Sequence, residues 1–346
     1  RTLSQSYDYL NYDSIEDREM LGQRKWDRRK DLIIFDELHK MPRWKSWLKG
    51  IYDTEGIQPQ ILVTGSARLN ALRKVGDSLA GRFFYFRLHP FDLKEVAASN
   101  MKITTQEAFS RLITVGGYPE PFLEGETSFY KRWRQTHLDV ILRQDLLSLE
   151  TVRDLASLEV LVQILRSKVG SPISINSIAT DLQKDHKTVQ RWLALLEELF
   201  VVFKVSPYSR DIARSVKKES KYYFFDSAFV AGDVSIKLEN LVACALLKEA
   251  HFQTDVNGRP YQLYFLKVKG GREIDFLLKP EEEEDTALLL EVKRAESEAS
   301  PHFKLFSSSF KRRHQVQLVA DLKREFTTAS GIQIAKAAEW LSDFKI

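Results

Sequence analysis

Residues 32–40 read LIIFDELHK: four apolar residues run into two adjacent carboxylates, Asp36 and Glu37, and the strand pattern stops there. A continuous apolar run of this length suits a strand covered on both faces, as in a parallel sheet, because a half-exposed strand would alternate. Carboxylates at the tip of such a strand sit where parallel sheets bind ligands. In nucleotide-hydrolysing sites built this way the first acid holds Mg²⁺ and the second polarises a water, so the order Asp-Glu is chemically apt. The alternative is a strand end capped by two solvated acids.

The flanking sequence supports the sheet. Tyr7 to Asn11 reads as a short strand, followed by an acid-rich helix start with Ser14 as N-cap and Asp17 three residues on. After LIIFDE, an amphipathic helix is expected from Trp44 to Tyr52, and PQILVTGSA, residues 59–67, gives a second buried strand ending in Thr64, Gly65 and Ser66. Strand, helix, strand, helix is the pattern of an α/β sheet with crossovers. A further strand is expected from Phe83 to Leu88, closed by Pro90, with Gly81 and Arg82 at its entrance. From Thr105 to about Ser167 the pattern is helical, interrupted by the rigid turn GGYPEPFL.

From Ile175 a short helix bearing Ile178, Ala179 and Leu182, a polar turn KDH, and a longer helix with Val189, Trp192, Leu193, Leu196 and Leu199 spell a helix-turn-helix, and FVVFKVSPY suits the strand of a wing. Lys184, His186, Lys187, Thr188, Gln190 and Arg191 could face a groove. Gln190 and Arg191 are the candidate base readers and the others candidate phosphate contacts. Between Val160 and Lys221 there are 11 Lys or Arg against 6 Asp or Glu, enough to account for the net charge of +4. A basic middle segment suits a polyanion, although a solvated face would look the same.

Near the C-terminus, REIDFLL and TALLLEVKR flank the acid run PEEEED, residues 280–285, and read as an antiparallel hairpin with an exposed loop. A loop symmetric about Glu283 places Asp275 directly opposite Glu291. Alternation puts Glu291 and Lys293 on one face, and Glu273 with Asp275 on one face. Two carboxylates at roughly 5 Å repel unless a cation lies between them. A divalent ion with oxygen ligands would remove the conflict, and a neighbouring lysine could steer the attacking water. The alternative is a charged outer face with Glu273 paired to Lys293.

At 346 residues the chain is long enough for two or three domains, and no stretch reaches the apolar length that spans a bilayer. Its one cysteine, Cys244, excludes an internal disulfide and a cysteine-based zinc site, in keeping with a reducing cytoplasm. The setting LVACALLKE makes it a helix core position.

With these parts in order, the chain resembles a family of bacterial and archaeal AAA+-type P-loop ATPases whose C-terminal half carries a winged helix and a domain similar to PD-(D/E)xK nucleases. LIIFDELHK resembles the Walker B strand, with Asp36 matching the magnesium-holding acid and Glu37 the water-activating one. ILVTGSA is similar to the sensor strand, with Ser66 or Thr64 as the residue that would feel the terminal phosphate. In LAGRFFYFRLHPF, Arg82 matches a trans-acting arginine. LENLVACALLKE resembles the first nuclease core helix, with Glu239 as supporting acid; Asp275 matches the central aspartate and Glu291-Val292-Lys293 the ExK element.

The resemblance implies an α/β chain in four parts: an incomplete parallel-sheet ATPase core over residues 1–100, a helical lid over 101–167, a winged helix over 168–220, and an α/β nuclease-like domain over 221–346. ATP and Mg²⁺ are the implied cofactors; nucleic acid and a homo-oligomer are the implied partners, with no membrane. The family's G-x-x-x-x-G-K-[ST] loop does not occur in these residues. Its unit is expected just before Arg1, and without it the chain should be a poor ATPase with an exposed sheet face. The competing readings are a Mg²⁺-dependent DNA nuclease and a non-catalytic nucleic-acid-binding module.

Overall fold

A computed structural model describes residues 6–56, 58–65, 79, 81–141, 154–209, 219–267, 272–296, 298–306 and 309–346. Its contacts divide the chain into two units, Arg1–Tyr85 and Phe86–Ile346. The architecture is mixed α/β, with a parallel sheet in the first unit and a larger mixed sheet in the second, consistent with the expected α/β fold class.

In the first unit, β1 (Tyr7–Asn11), α1 (Ile15–Gly22), β2 (Leu32–Asp36), α2 (Trp44–Glu55) and β3 (Gln60–Val63) follow the expected order. The Ser14 side chain caps α1 by accepting from the Asp17 amide. The sheet is parallel, in the order β1-β2-β3. Because the strands follow one another in one direction, two right-handed crossovers set both helices on the same face. Ile33 and Phe35 point to that face and are fully buried, with Leu21 of α1 and Ile51 of α2 in the same cluster. Phe35 also meets Trp26 and Trp47 edge-on, at ring-centre distances of 5.3 Å and 5.5 Å.

Two expectations change here. Leu32 and Ile34, on the other face of β2, are only half-buried, so the apolar run is covered fully on one side among the described residues. β3 is an outer strand of the described sheet, and Gln60 is exposed while Ile61 to Val63 are half-buried.

The segment Phe83–Leu88 does not form the expected strand; Phe84 is 88 % and Leu88 98 % exposed. An alternating run becomes a strand only when a neighbour takes its backbone hydrogen bonds, and no described strand does so. Alternation survives in the side chains. Arg87 forks onto Asp255 at 2.6 Å and 2.9 Å, and His89 meets His251 at 2.7 Å.

The second unit opens with α3 (Leu93–Ala98), α4 (Thr105–Thr114), α5 (Pro119–Glu124), α6 (Thr127–Val140) and α7 (Leu155–Ser167). The turn of GGYPEPFL is fixed by Gly116, whose φ is +77° and whose Cα lies against Asp226; a Cβ there would come within 2.1 Å of the carboxylate. The helix-turn-helix is α8 (Ile175–Asp181) and α9 (His186–Glu198), with His186 opening α9 instead of sitting in the turn.

Next come β4 (Val202–Pro207), β5 (Lys221–Phe224), the 24-residue α10 (Val234–Asn257), β6 (Tyr261–Lys267), β7 (Glu273–Pro280), β8 (Thr286–Lys293), α11 (His302–Phe306), β9 (Arg312–Val319), β10 (Phe326–Thr327), β11 (Gln333–Lys336) and α12 (Ala337–Asp343). They build one eight-stranded sheet in the order β10-β11-β9-β8-β7-β6-β4-β5. The strand expected to serve as a wing is therefore a member of this sheet. β4 pairs antiparallel with β5 and, through Ser206–Tyr264 and Pro207–Phe265, parallel with β6.

Candidate functional sites: two carboxylate centres

The first centre sits at the tip of β2. Parallel register sets Asn11 beside Asp36 and carries Thr64 just past the end of β3. The Thr64 hydroxyl donates to Asp36 Oδ1 and the Tyr9 hydroxyl to Oδ2. The Glu37 amide donates to Oδ1 at 3.1 Å and Asn11 Nδ2 to Oδ2 at 3.3 Å. Burial alone would push the Asp36 carboxyl up, but the donors from Thr64, Tyr9 and the Glu37 amide outweigh it and hold the group below its ordinary range. Asp36 is thus an ionised acid in a hydroxyl-lined corner.

Glu37 leaves the strand in the left-handed region, with φ +54°, and opens the short 3₁₀ turn Leu38–Lys40. For a glutamate this backbone costs on the order of 1 kcal/mol and is held only by its surroundings. The turn brings Lys40 Nζ to 2.9 Å from Glu37 Oε2 and 2.6 Å from Asp13. Arg82 lies 3.2 Å from Asp53 of α2, over the Tyr52 ring. Ser66 lies outside the described residues.

The second centre lies where β5, β7, β8 and α10 meet. The pairs Phe276–Leu290, Leu277–Leu289 and Leu278–Leu288 centre on Glu283, so continuing the ladder sets Asp275 opposite Glu291, the expected register. Asp275 Oδ2 accepts from the Val292 amide at 2.8 Å. Burial, then the negative charges of Glu239 and Glu291, drive the Asp275 carboxyl well above its ordinary range. Burial also raises Glu291, against the pull of Lys293, whose Nζ is 3.1 Å from Oε1. The Glu291 side chain is 4 % exposed, and its Oε2 is buried with no hydrogen-bond partner.

Around this pair the charges are arranged unlike the simple outer-face alternative, since Lys293 takes Glu291 and Glu273 goes elsewhere. Lys221, fully buried at the start of β5, reaches Glu273 at 3.1 Å and Glu239 at 3.4 Å. Burial pushes the Lys221 ammonium down, but Glu239, Asp275 and Glu273 together raise it above its ordinary range. Tyr223, two residues along β5, donates to Glu239 Oε1 at 2.7 Å. His302 Nδ1 lies 2.8 Å from the Glu273 carbonyl, which can only accept, so Nδ1 carries the proton. Among the described residues, no group of three or more His, Cys, Asp and Glu is arranged to hold a metal ion. Of the acids expected to bind one, Asp275 and Glu291 face each other, Glu239 is engaged by Tyr223 and Lys221, and Asp36 belongs to the first centre.

On α9, His186, Lys187, Gln190 and Arg191 are exposed at spacings of three and four, so they share a face. Lys184 is half-buried and bound to Asp154 at 2.7 Å, and the Thr188 side chain bonds to the capping Asp185. Sequence reading overlooked Tyr9, Asn11, Lys221, Tyr223 and His302. A signal existed for the first two, because alternation along YDYLN puts Tyr9 and Asn11 on one face of the strand next to β2.

Comparison with known proteins finds matches over three stretches of the chain. Residues 1–97 match the family described as AAA domain, residues 106–237 a domain of unknown function (DUF8612), and residues 236–339 a domain of unknown function (DUF4143). Among curated relatives, an uncharacterized protein of Methanocaldococcus jannaschii is 24 % identical over 287 residues, covering 77 % of this chain and 62 % of the relative. One from Haemophilus influenzae is 23 % identical over 364 residues, covering 96 % and 85 %, and one from Mycobacterium tuberculosis is 25 % identical over 199 residues, covering 58 % and 43 %. No helix among the described residues is long and apolar enough to cross a membrane. The likeness to an AAA domain rests on residues 1–97, and the DUF4143 match covers the C-terminal part.

Proposed function

We propose that the first unit serves a nucleotide-hydrolysing site, in which Asp36 holds the magnesium of a bound ATP and Glu37 orients the attacking water. What carries this reading is the ionised Asp36 carboxylate at the tip of the middle strand of a parallel sheet, with Thr64 donating to it from the next strand. The donor set suits magnesium, since every group in the corner is a hard oxygen or an amide that positions one. Magnesium, when bound, neutralises charge developing on the transferred phosphate.

Thr64 and Tyr9 fix the Asp36 oxygens, and Lys40 holds Glu37 out of the strand. Glu37 keeps lone pairs free for a water, because its described ion-pair contacts, to Lys40 and His39, are both through Oε2. The reading also needs a phosphate-binding loop, which residues 1–346 do not contain. The test is steady-state ATP hydrolysis by the full-length gene product. Glu37→Gln should lose about 100-fold or more in turnover while still binding nucleotide. Undiminished turnover in that variant would refute the assignment.

The unpartnered Glu291 Oε2 favours a second reading for the C-terminal centre, a divalent cation held by Asp275 and Glu291. Two facing carboxylates are what Mg²⁺ or Mn²⁺ takes from a protein when water and phosphate complete its shell. Lys293 would steer the attacking water toward a phosphodiester, and the exposed α9 cations would meet the nucleic-acid backbone. Purified protein should then nick plasmid DNA with Mn²⁺. Nicking that persists in the Glu291→Ala, Lys293→Ala double variant would assign it to a contaminant.

A further inference from the structure

We propose that Lys221 is a built-in cation that closes one half of the C-terminal carboxylate cluster, so that the cluster takes a single divalent ion, between Asp275 and Glu291. The proposal rests on the cation reading given above and adds what limits it. Glu239, Glu273, Asp275 and Glu291 contribute four negative charges when ionised, against the ammonium groups of Lys221 and Lys293. The remainder is two negative charges, which one divalent ion cancels. Lys267 approaches Glu273 only at 4.0 Å and is 41 % exposed, so water screens it.

The two halves of the cluster differ in which carboxylate oxygens are already engaged. Glu239 Oε1 is taken by the Tyr223 hydroxyl and Lys221. Its Oε2 lies under the backbone of Gly170, where φ is +78° and even a methyl group would come within 2.8 Å. The Lys221 ammonium sits over the face of Phe265, 5.2 Å from the ring centre, and the residue is wholly excluded from solvent. A buried ammonium persists only when carboxylates surround it, and here Glu239 and Glu273 do so. On the other side, Glu291 Oε2 is buried without a hydrogen bond, facing across the ladder to Asp275. One half is filled by a lysine and the other is left with an unmet acceptor.

The test counts Mn²⁺ bound to the full chain, by electron paramagnetic resonance of the free ion during titration. Wild type should bind one Mn²⁺ and Glu291→Gln none at the same concentrations. Lys221→Gln should bind two and should gain more thermal stability from Mn²⁺ than wild type does. Lys221→Arg, which keeps the charge, should bind one. Should Lys221→Gln fail to fold, the wild-type and Lys221→Arg counts decide, and two ions in either overturns the proposal. A Lys221→Gln variant that binds one ion with unchanged affinity overturns the role of Lys221 and leaves the cation reading standing. No binding to wild type overturns both.

Discussion

Each unit presents an aspartate beside a fully buried phenylalanine on a strand, Phe35-Asp36 in β2 and Asp275-Phe276 in β7, yet the two acids are in opposite states. Asp36 is surrounded by hydroxyl and amide donors and is held ionised. Asp275 is buried among other carboxylates, which push its carboxyl well above its ordinary range despite the Val292 amide. The strand context is alike; the neighbours decide. A ring of donors lowers a carboxyl's pKa, whereas a ring of acids in a buried setting raises it.

The largest effect should come from the shared scaffold. Phe35→Ala and Phe276→Ala should each cost about 3–5 kcal/mol in urea unfolding, because each empties a fully buried ring. If either cost less than about 1 kcal/mol, the strand beneath that aspartate would not be the rigid support described. The next effect is the loss of about 100-fold in turnover expected for Glu37→Gln. Turnover that falls instead with Glu291→Gln would move the hydrolytic site to the other unit.

Smaller, and opposite in sign for the two acids, are the pH effects. Asp275 has a raised folded pKa, so in chelator its folded state keeps a proton that the unfolded chain gives up above about 3.8, and stability falls as pH rises from there. Asp275→Asn should therefore raise Tm at neutral pH without metal, by about 2–4 °C per kcal/mol gained, and give no benefit below pH 3.8. Asp36 has a lowered folded pKa, so its contribution is present above about 3.8 and is lost as pH falls through the folded value. The smallest effect is on that pKa itself. Thr64→Val should raise it by removing one donor, and weaken magnesium-dependent nucleotide binding about 2- to 10-fold.

What could be read from sequence was what periodicity and local chemistry determine. The apolar run to Asp36, the Ser14 cap, the helix pair α8 and α9, and the Asp275–Glu291 register all follow from side-chain spacing within one or two elements. What could not be read depends on distant partners. Phe83–Leu88 has the alternation of a strand but no described neighbour to pair with, and β4 joins the large sheet through only two residues of β6. Lys221 heads a buried aromatic strand, KYYF, where a lysine reads as an edge residue; its position under Glu239 and Glu273 comes from α10 and β7 crossing above it. Glu239 was identified by resemblance alone, because a helix pattern does not reveal which acid turns toward a sheet.

The contrast between the two centres can be measured in one experiment, a titration of ¹³C-carboxyl-labelled aspartate in metal-free protein by nuclear magnetic resonance, with Asp36→Asn and Asp275→Asn for assignment. The Asp36 signal should titrate below 3.8 and the Asp275 signal well above it, with the latter losing its proton when a diamagnetic divalent ion, Mg²⁺, is added at saturating concentration. Two aspartates titrating together near 3.8, unchanged by Mg²⁺, would contradict both environments described here.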